Sequence, residues 1–187
     1  AWVALVPFEM TETSFKGVPP LPGLSQFFEC NVRTYVRHGD TSGVWFFSLD
    51  AERLLPVLGG RWLWSLNYVH SRFTVTEGER TDYALKRRPS RRWPEGSTRI
   101  VWTRGDALPT SEPGSLEHFL TERYYLHTKR RGRIMSGRID HESWPLRKAT
   151  LNELDDTLVA AAGIEVEGEP LVMMSDSIEV LGYKLST

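Results

Sequence analysis

The chain has 187 residues, with 23 Lys and Arg against 24 Asp and Glu and a formal charge of −1, so no overall field draws it to nucleic acid or to an anionic membrane. Its 7 Trp, 6 Tyr and 8 Phe and a hydrophobic share of 40% let a chain of this size bury roughly 70% of its unfolded surface, which excludes intrinsic disorder and a collagen-like scaffold. The single cysteine, Cys30, excludes an intrachain disulfide and a cysteine-based zinc site and fits a reducing, cytoplasmic setting.

Trp2 to Phe8 is short, apolar and interrupted by Pro7, which reads as a strand closed by a loop. Lys16 to Leu24 holds Pro19, Pro20 and Pro22 with Gly17 and Gly23, and is expected to be an extended loop. Phe28 to His38 alternates as a strand, with Cys30, Val32, Thr34 and Val36 on one side and Asn31, Arg33, Tyr35 and Arg37 on the other. A turn at Gly39 to Gly43 leads to Val44–Leu49 as hairpin partner, and Asp50 is placed to cap a helix over Ala51 to Ser65. Strands resume from Tyr68 to Arg104, with turns at Glu77-Gly78 and around Pro94 to Gly96. Ser115 opens a short helix through Glu122. Tyr124–Lys129 and Arg133–His141 form a hairpin about Arg130-Arg131-Gly132, Asn152–Ala162 is a helix ended by Gly163, and Pro170–Ser175 and Ser177–Leu185 close the chain as strands. About nine strands and two or three flanking helices give an α+β domain on a mostly antiparallel, β-barrel-like sheet. No linker or repeat divides residues 1–187. No apolar run reaches the roughly 18 to 20 residues that a bilayer requires, and Ala1 to Met10 lacks the pattern of a signal peptide.

Among candidate sites the Asn31, Arg33, Tyr35 row comes first. An amide, a guanidinium and a phenol on one side of a strand fit either a solvated outer face or a polar cavity wall in which Arg33 clamps a carboxylate. Ser115 to Tyr124 comes second: His118 and Glu122 are four apart on one helix face, which a surface pair explains as well as an acid–base pair, and Glu122-Arg123 sits at the helix end. His38, His70, His118, His127 and His141 have no metal-ligand spacing, so no metal is expected. Nucleophile-elbow, P-loop and dinucleotide fingerprints are missing, and no cofactor is expected. Two basic clusters, Lys86-Arg87-Arg88 with Arg91-Arg92 and Lys129-Arg130-Arg131 with Arg133, face an acidic stretch from Leu151 to Val180; charged hairpin tips account for them as well as an anion or nucleic-acid patch does.

Trp2-Val3-Ala4-Leu5-Val6-Pro7-Phe8, Leu21-Pro22-Gly23-Leu24, Glu29-Cys30-Asn31-Val32-Arg33-Thr34-Tyr35-Val36, Gly43 to Asp50, Ser115 to Tyr124 and Trp144-Pro145-Leu146 together resemble the DUF2071 (YqjF-like) family. That family is similar in fold to acetoacetate decarboxylase, which implies a barrel with an internal pocket, and its members usually carry a further N-terminal stretch. Acetoacetate decarboxylases use a desolvated lysine as Schiff-base nucleophile in a Gly-x-Pro-Lys context. The comparable stretch here is Ser65-Leu66-Asn67-Tyr68-Val69-His70, which puts Tyr68 at the nucleophile's place, and there is no lysine between Lys16 and Lys86. The resemblance therefore implies a pocket without that nucleophile. Asn31, Arg33, Tyr35, Glu122 and Arg123 would bind a small, anionic carboxylate or carbonyl compound, with Tyr68 and His70 moving a proton in a lyase or isomerase reaction. A non-catalytic ligand-binding or interaction domain is the alternative; a homo-oligomer is left open, and nucleic acid and membrane are not expected as partners.

Overall fold

The computed structural model describes residues 1–11 and 26–186; the expected loop at Lys16–Leu24 lies outside the described residues. The elements are β1 (Val3–Met10), β2 (Phe27–His38), β3 (Thr41–Ala51), α1 (Leu54–Leu63), β4 (Tyr68–Thr76), β5 (Arg80–Arg87), β6 (Ser97–Ala107), α2 (Leu116–Thr121), β7 (Tyr125–Arg130), β8 (Arg133–His141), β9 (Leu146–Asp156), α3 (Leu158–Ala161), β10 (Met173–Ser175) and β11 (Val180–Ser186). They are consistent with the α+β reading. The strands form one sheet in the order β10-β9-β6-β5-β4-β3-β7-β8-β11, with β2 on the other edge of β3 and β1 beyond it. Nearly all ladders are antiparallel; β3 pairs in parallel with β4 at Leu49–Ala51 and with β7 at Val44 and Trp45. Among the described residues no ladder closes the sheet, so the barrel-like part of the expectation is not borne out and the ladders describe an open, mostly antiparallel sheet.

Three local readings change. Ala51 belongs to β3, and the first helix starts at Leu54; Pro56 fits its first turn, where N–H groups have no intrahelical acceptor. The helix expected over Asn152–Ala162 is strand as far as Asp156, because Leu154, Asp155 and Asp156 pair with Ile100, Arg99 and Thr98 of β6. Only Leu158–Ala161 turns helical, with the Asp156 carboxylate accepting from the amides of Leu158 (3.2 Å) and Val159 (3.0 Å) and Gly163 at φ +76 ending it. Ser115 does cap α2, its hydroxyl accepting from the His118 amide at 3.1 Å.

Asp50 does not cap α1. Directly opposite Cys30 on β2, it faces the main core of Cys30, Val32, Tyr83, Leu85 and Leu158. Arg87 donates to both carboxylate oxygens of Asp50 at 2.9 Å and to Ser48 at 2.8 Å, Ser71 donates at 2.7 Å, and Ser48 at 3.2 Å. This ion pair is fully enclosed, with side-chain exposures of 3% and 0%. Arg87 thus leaves the basic cluster at 86–92 and becomes part of the interior. A bulge between Val32 and Arg33 sends Phe47 to this core and Phe46 to a second one, formed with Val44, Leu49 and Leu126 on the opposite face of β3.

Candidate functional site

The second face of β2 carries the polar row. Alternation from the buried Cys30 puts Glu29, Asn31, Arg33 and Tyr35 on it, and the ladders extend that face to β4. Asn31 pairs with Leu49, which pairs with Tyr68; Glu29 pairs with Ala51, which pairs with His70. Asn31 and Tyr68 therefore share one face two strands apart, about 10 Å at the usual strand spacing. Close packing of α1 sets the Tyr68 ring, since a Cβ at Gly60 would overlap it, and Arg61 donates two N–H groups to the Tyr68 carbonyl at 2.8 and 2.6 Å.

Glu29 and Asn31 are 3% and 5% exposed, and Arg33 and Tyr35 are half-buried. Groups buried to this degree normally have partners. Yet Glu29 Oε2, Asn31 Oδ1 and Arg33 Nε are buried with no hydrogen-bond partner among the described residues. Burial, with a smaller push from Asp50, raises the Glu29 carboxyl to about 8, against the opposing hydrogen bond from Tyr68. At neutral pH it is mainly a neutral acid able to donate. Burial and the Glu29 charge push the hydroxyl of the partly buried Tyr68 well above the usual phenol range, so it is a donor rather than a base. Burial and the Arg88 and Arg61 charges hold the His70 imidazole below its usual range. Its Nε2 lies 3.2 Å from the Glu52 carbonyl; a carbonyl only accepts, so Nε2 carries the proton and Nδ1 keeps the basic lone pair.

At the other end of the row, Tyr35 packs on Phe119 of α2 at 5.2 Å between ring centres. Arg33 donates to the Leu120 carbonyl at 3.2 Å, and Arg123 stacks on Phe119 at 4.2 Å. Glu122 stands apart: its carboxylate accepts from the Tyr124 hydroxyl at 2.5 Å and the Trp144 amide at 3.1 Å and pairs with no arginine among the described residues. Arg33, Tyr35 and Arg123 are thus gathered at one end, Asn31 lies in register with Tyr68 and Glu29 with His70 toward the other, and Glu122 braces the end of α2.

Glu29 is the residue that sequence reading passed over. It lies two positions before Asn31 in the same alternation, so extending the row by one step finds it. The described concavities lie elsewhere, one in the gap flanked by Trp45, Phe46, Asn67 and His127 and one at the open tip of the β7–β8 hairpin. Among the described residues no cluster of three or more His, Cys, Asp or Glu could hold a metal ion, and no helix is long and apolar enough to cross a membrane.

The same sheet and helix arrangement recurs in solved structures of the enduracididine biosynthesis enzyme MppR. The complex with pyruvate matches with TM-score 0.50 at 16% identity, over 88% of this chain and 66% of that one. The complex with the condensation product of pyruvate and imidazole 4-carboxaldehyde gives 0.52 at 15%, over 88% and 65%, and the HEPES-bound form 0.53 at 17%, over 89% and 65%. The chain spans about two thirds of the length of those proteins, and at these identities the likeness defines the fold alone. Residues 1–179 match the profile of DUF2071, described as an uncharacterized conserved protein, and the chain belongs to that family. It is 34% identical over 187 residues to the uncharacterized protein YqjF of Bacillus subtilis (strain 168), covering 99% of this chain and 76% of YqjF.

Proposed function

We propose that this chain binds a small organic anion, a carboxylate or carbonyl compound, on the β2 face that carries Glu29, Asn31, Arg33 and Tyr35, in an acetoacetate decarboxylase-like setting. The observation that carries the reading is the run of three consecutive row residues whose buried polar atoms, Glu29 Oε2, Asn31 Oδ1 and Arg33 Nε, have no partner among the described residues. Burying such atoms unpaired costs about 1–3 kcal/mol each, a cost that a ligand offsets by pairing with them. One donor and one acceptor lie at Arg33 and Asn31, so the best fit carries a carboxylate for Arg33 and a hydroxyl or enol for Asn31. Row neighbours are about 6.6 Å apart along the strand, the span of a three- to five-carbon acid. MppR holds pyruvate in a similar fold, which supports short oxo acids as first ligands to try.

If the bound compound is turned over, the reaction is proton transfer beside a carbonyl. The neutral Glu29 carboxyl, backed by Tyr68, donates to the carbonyl oxygen, and His70 Nδ1 is the candidate base. The lysines among the described residues, Lys86, Lys129, Lys148 and Lys184, are all exposed, which supports a route that uses none of these four as a desolvated Schiff-base lysine.

Titration calorimetry with pyruvate tests the binding. Wild type should bind, and Arg33→Gln should weaken binding at least tenfold. No heat with pyruvate or with other short oxo and hydroxy acids would overturn the reading. The double variant Tyr68→Phe, His70→Gln separates enzyme from binder: lost turnover with intact affinity supports catalysis, and unchanged turnover removes both residues from it.

A further inference from the structure

Most arginines of the molecule that are not freely exposed have an acceptor matched to them. Arg61 gives two N–H groups to one carbonyl, Arg87 pairs with Asp50, and Arg147 with Asp176. Arg33, whose acceptor among the described residues is the Leu120 carbonyl at 3.2 Å, and Arg123 leave more of the guanidinium unmatched. Each buries an Nε with no partner among the described residues, and neither pairs with a carboxylate there. Their guanidinium carbons lie 5.8 and 5.7 Å from the centre of the same Tyr35 ring, which holds them within about 12 Å of each other.

We propose that Arg33 and Arg123 form one anion subsite, and that the ligand it takes is a small organic acid with two negative charges. The proposal rests on the reading of the β2 row as a ligand face and names the charge of what binds there. Two half-buried cations around one ring repel each other, and a single carboxylate would leave one of them uncompensated; a dianion neutralises both. The sharing is felt at Arg123, whose guanidinium is pushed down by burial and by Arg33, against the pull of Tyr35, while remaining charged. Arg123 lies over the Phe119 ring with its guanidinium carbon 4.2 Å from the ring centre, and its Nε keeps no partner among the described residues. Tyr35 and Phe119 supply an apolar wall for the methylenes that separate two carboxylates. Glu122, the adjacent carboxylate, is held by Tyr124 and Trp144.

Succinate and butyrate test this, since both have four carbons and differ by one carboxylate. By calorimetry on the wild-type chain, succinate should bind at least tenfold more tightly than butyrate. In Arg123→Gln, with folding checked by circular dichroism, that preference should shrink to about twofold while butyrate affinity changes by less than about threefold; Arg33→Gln should weaken both. Should Arg123→Gln fail to fold, Arg123→Met keeps the stem against Phe119 and should lose the preference in the same way. Equal wild-type binding of the two acids, or a preference that persists in a folded Arg123 variant, overturns the dianion subsite and leaves the ligand face standing. Failure of pyruvate, butyrate and succinate alike to bind overturns the ligand face itself, and the subsite with it.

Discussion

On one face of β2 and β3, Asp50 accepts from Arg87, Ser71 and Ser48 and no carboxylate oxygen is left over; on the other face, Glu29, Asn31 and Arg33 each keep a buried polar atom unmatched among the described residues. The two faces belong to the same strands and have comparable burial, so burial alone does not mark a site. What separates them is satisfaction. A buried polar group that the chain itself completes serves stability, and one that it leaves incomplete is available to something else. The contrast sets opposite signs for substitutions on the two faces.

The largest effect is expected on the completed face. Arg87→Leu leaves Asp50 charged and enclosed, and should cost about 3–5 kcal/mol in urea unfolding; a loss below about 1 kcal/mol would show that the pair is not the anchor described. Glu29→Gln should act in the other direction and with a pH signature. Unfolded, this carboxyl releases its proton near the usual value of 4.5; folded, it holds it to about 8. Between those values the native state binds more protons than the unfolded one, so the wild type loses stability as pH rises through that window. Glu29→Gln removes the loss, and should be more stable than wild type at pH 8 by on the order of a few kcal/mol and nearly equal to it at pH 4.5. Melting curves at the two pH values check this, and a pH-independent difference would contradict it. Asn31→Leu replaces an unmatched acceptor by an apolar group and should stabilise by about 1 kcal/mol while weakening ligand binding; destabilisation would mean that Asn31 is already satisfied. The smallest effect is expected at the rim, where Glu153 meets Arg80 and Arg99 with all three side chains about half exposed. Glu153→Gln should change stability by less than about 1 kcal/mol, and added salt should shrink it further.

Much of this contrast was legible in the sequence and its other half was not. The alternation from Phe28 to His38 sorts Cys30 and Val32 from Asn31, Arg33 and Tyr35, because a strand buried differently on its two faces writes that difference at every second residue. The β7–β8 hairpin was legible for a similar local reason: Gly132, at φ +82 beside Arg131 at φ +50, sits between two strand-like runs and supplies the left-handed conformation that a two-residue turn requires. The Asp50–Arg87 pair was not legible. Its partners are 37 residues apart on strands two places apart in the sheet, and Asp50 stands where a helix cap is also plausible. Asn152–Asp156 misled because the alanines at 160–162 and the Gly163 cap are helical signals that belong only to the short α3, while pairing with β6 and the charges opposite Arg99 hold the backbone before it extended. The meeting of Arg123 with Arg33 at Tyr35 likewise depends on how α2 docks, which no local pattern records.

The forked edge of β3 has a consequence for how the chain comes apart. Along that edge β7 holds Val44 and Trp45, β4 holds Leu49 to Ala51, and between them the Asn67 side chain donates to the Phe46 carbonyl at 3.2 Å while the Leu49 amide donates to the Asn67 carbonyl at 3.0 Å. All described strand ladders from β4 to β10 reach those of β7, β8 and β11 only through β3. Severing the backbone in the 108–115 connection would therefore split β6 from its partner β9 and β3 from β7, giving fragments that regain structure on mixing rather than alone. Amide exchange should tell the same story, with the β3 amides opening only in the global unfolding event and thus reporting the stability of the whole fold.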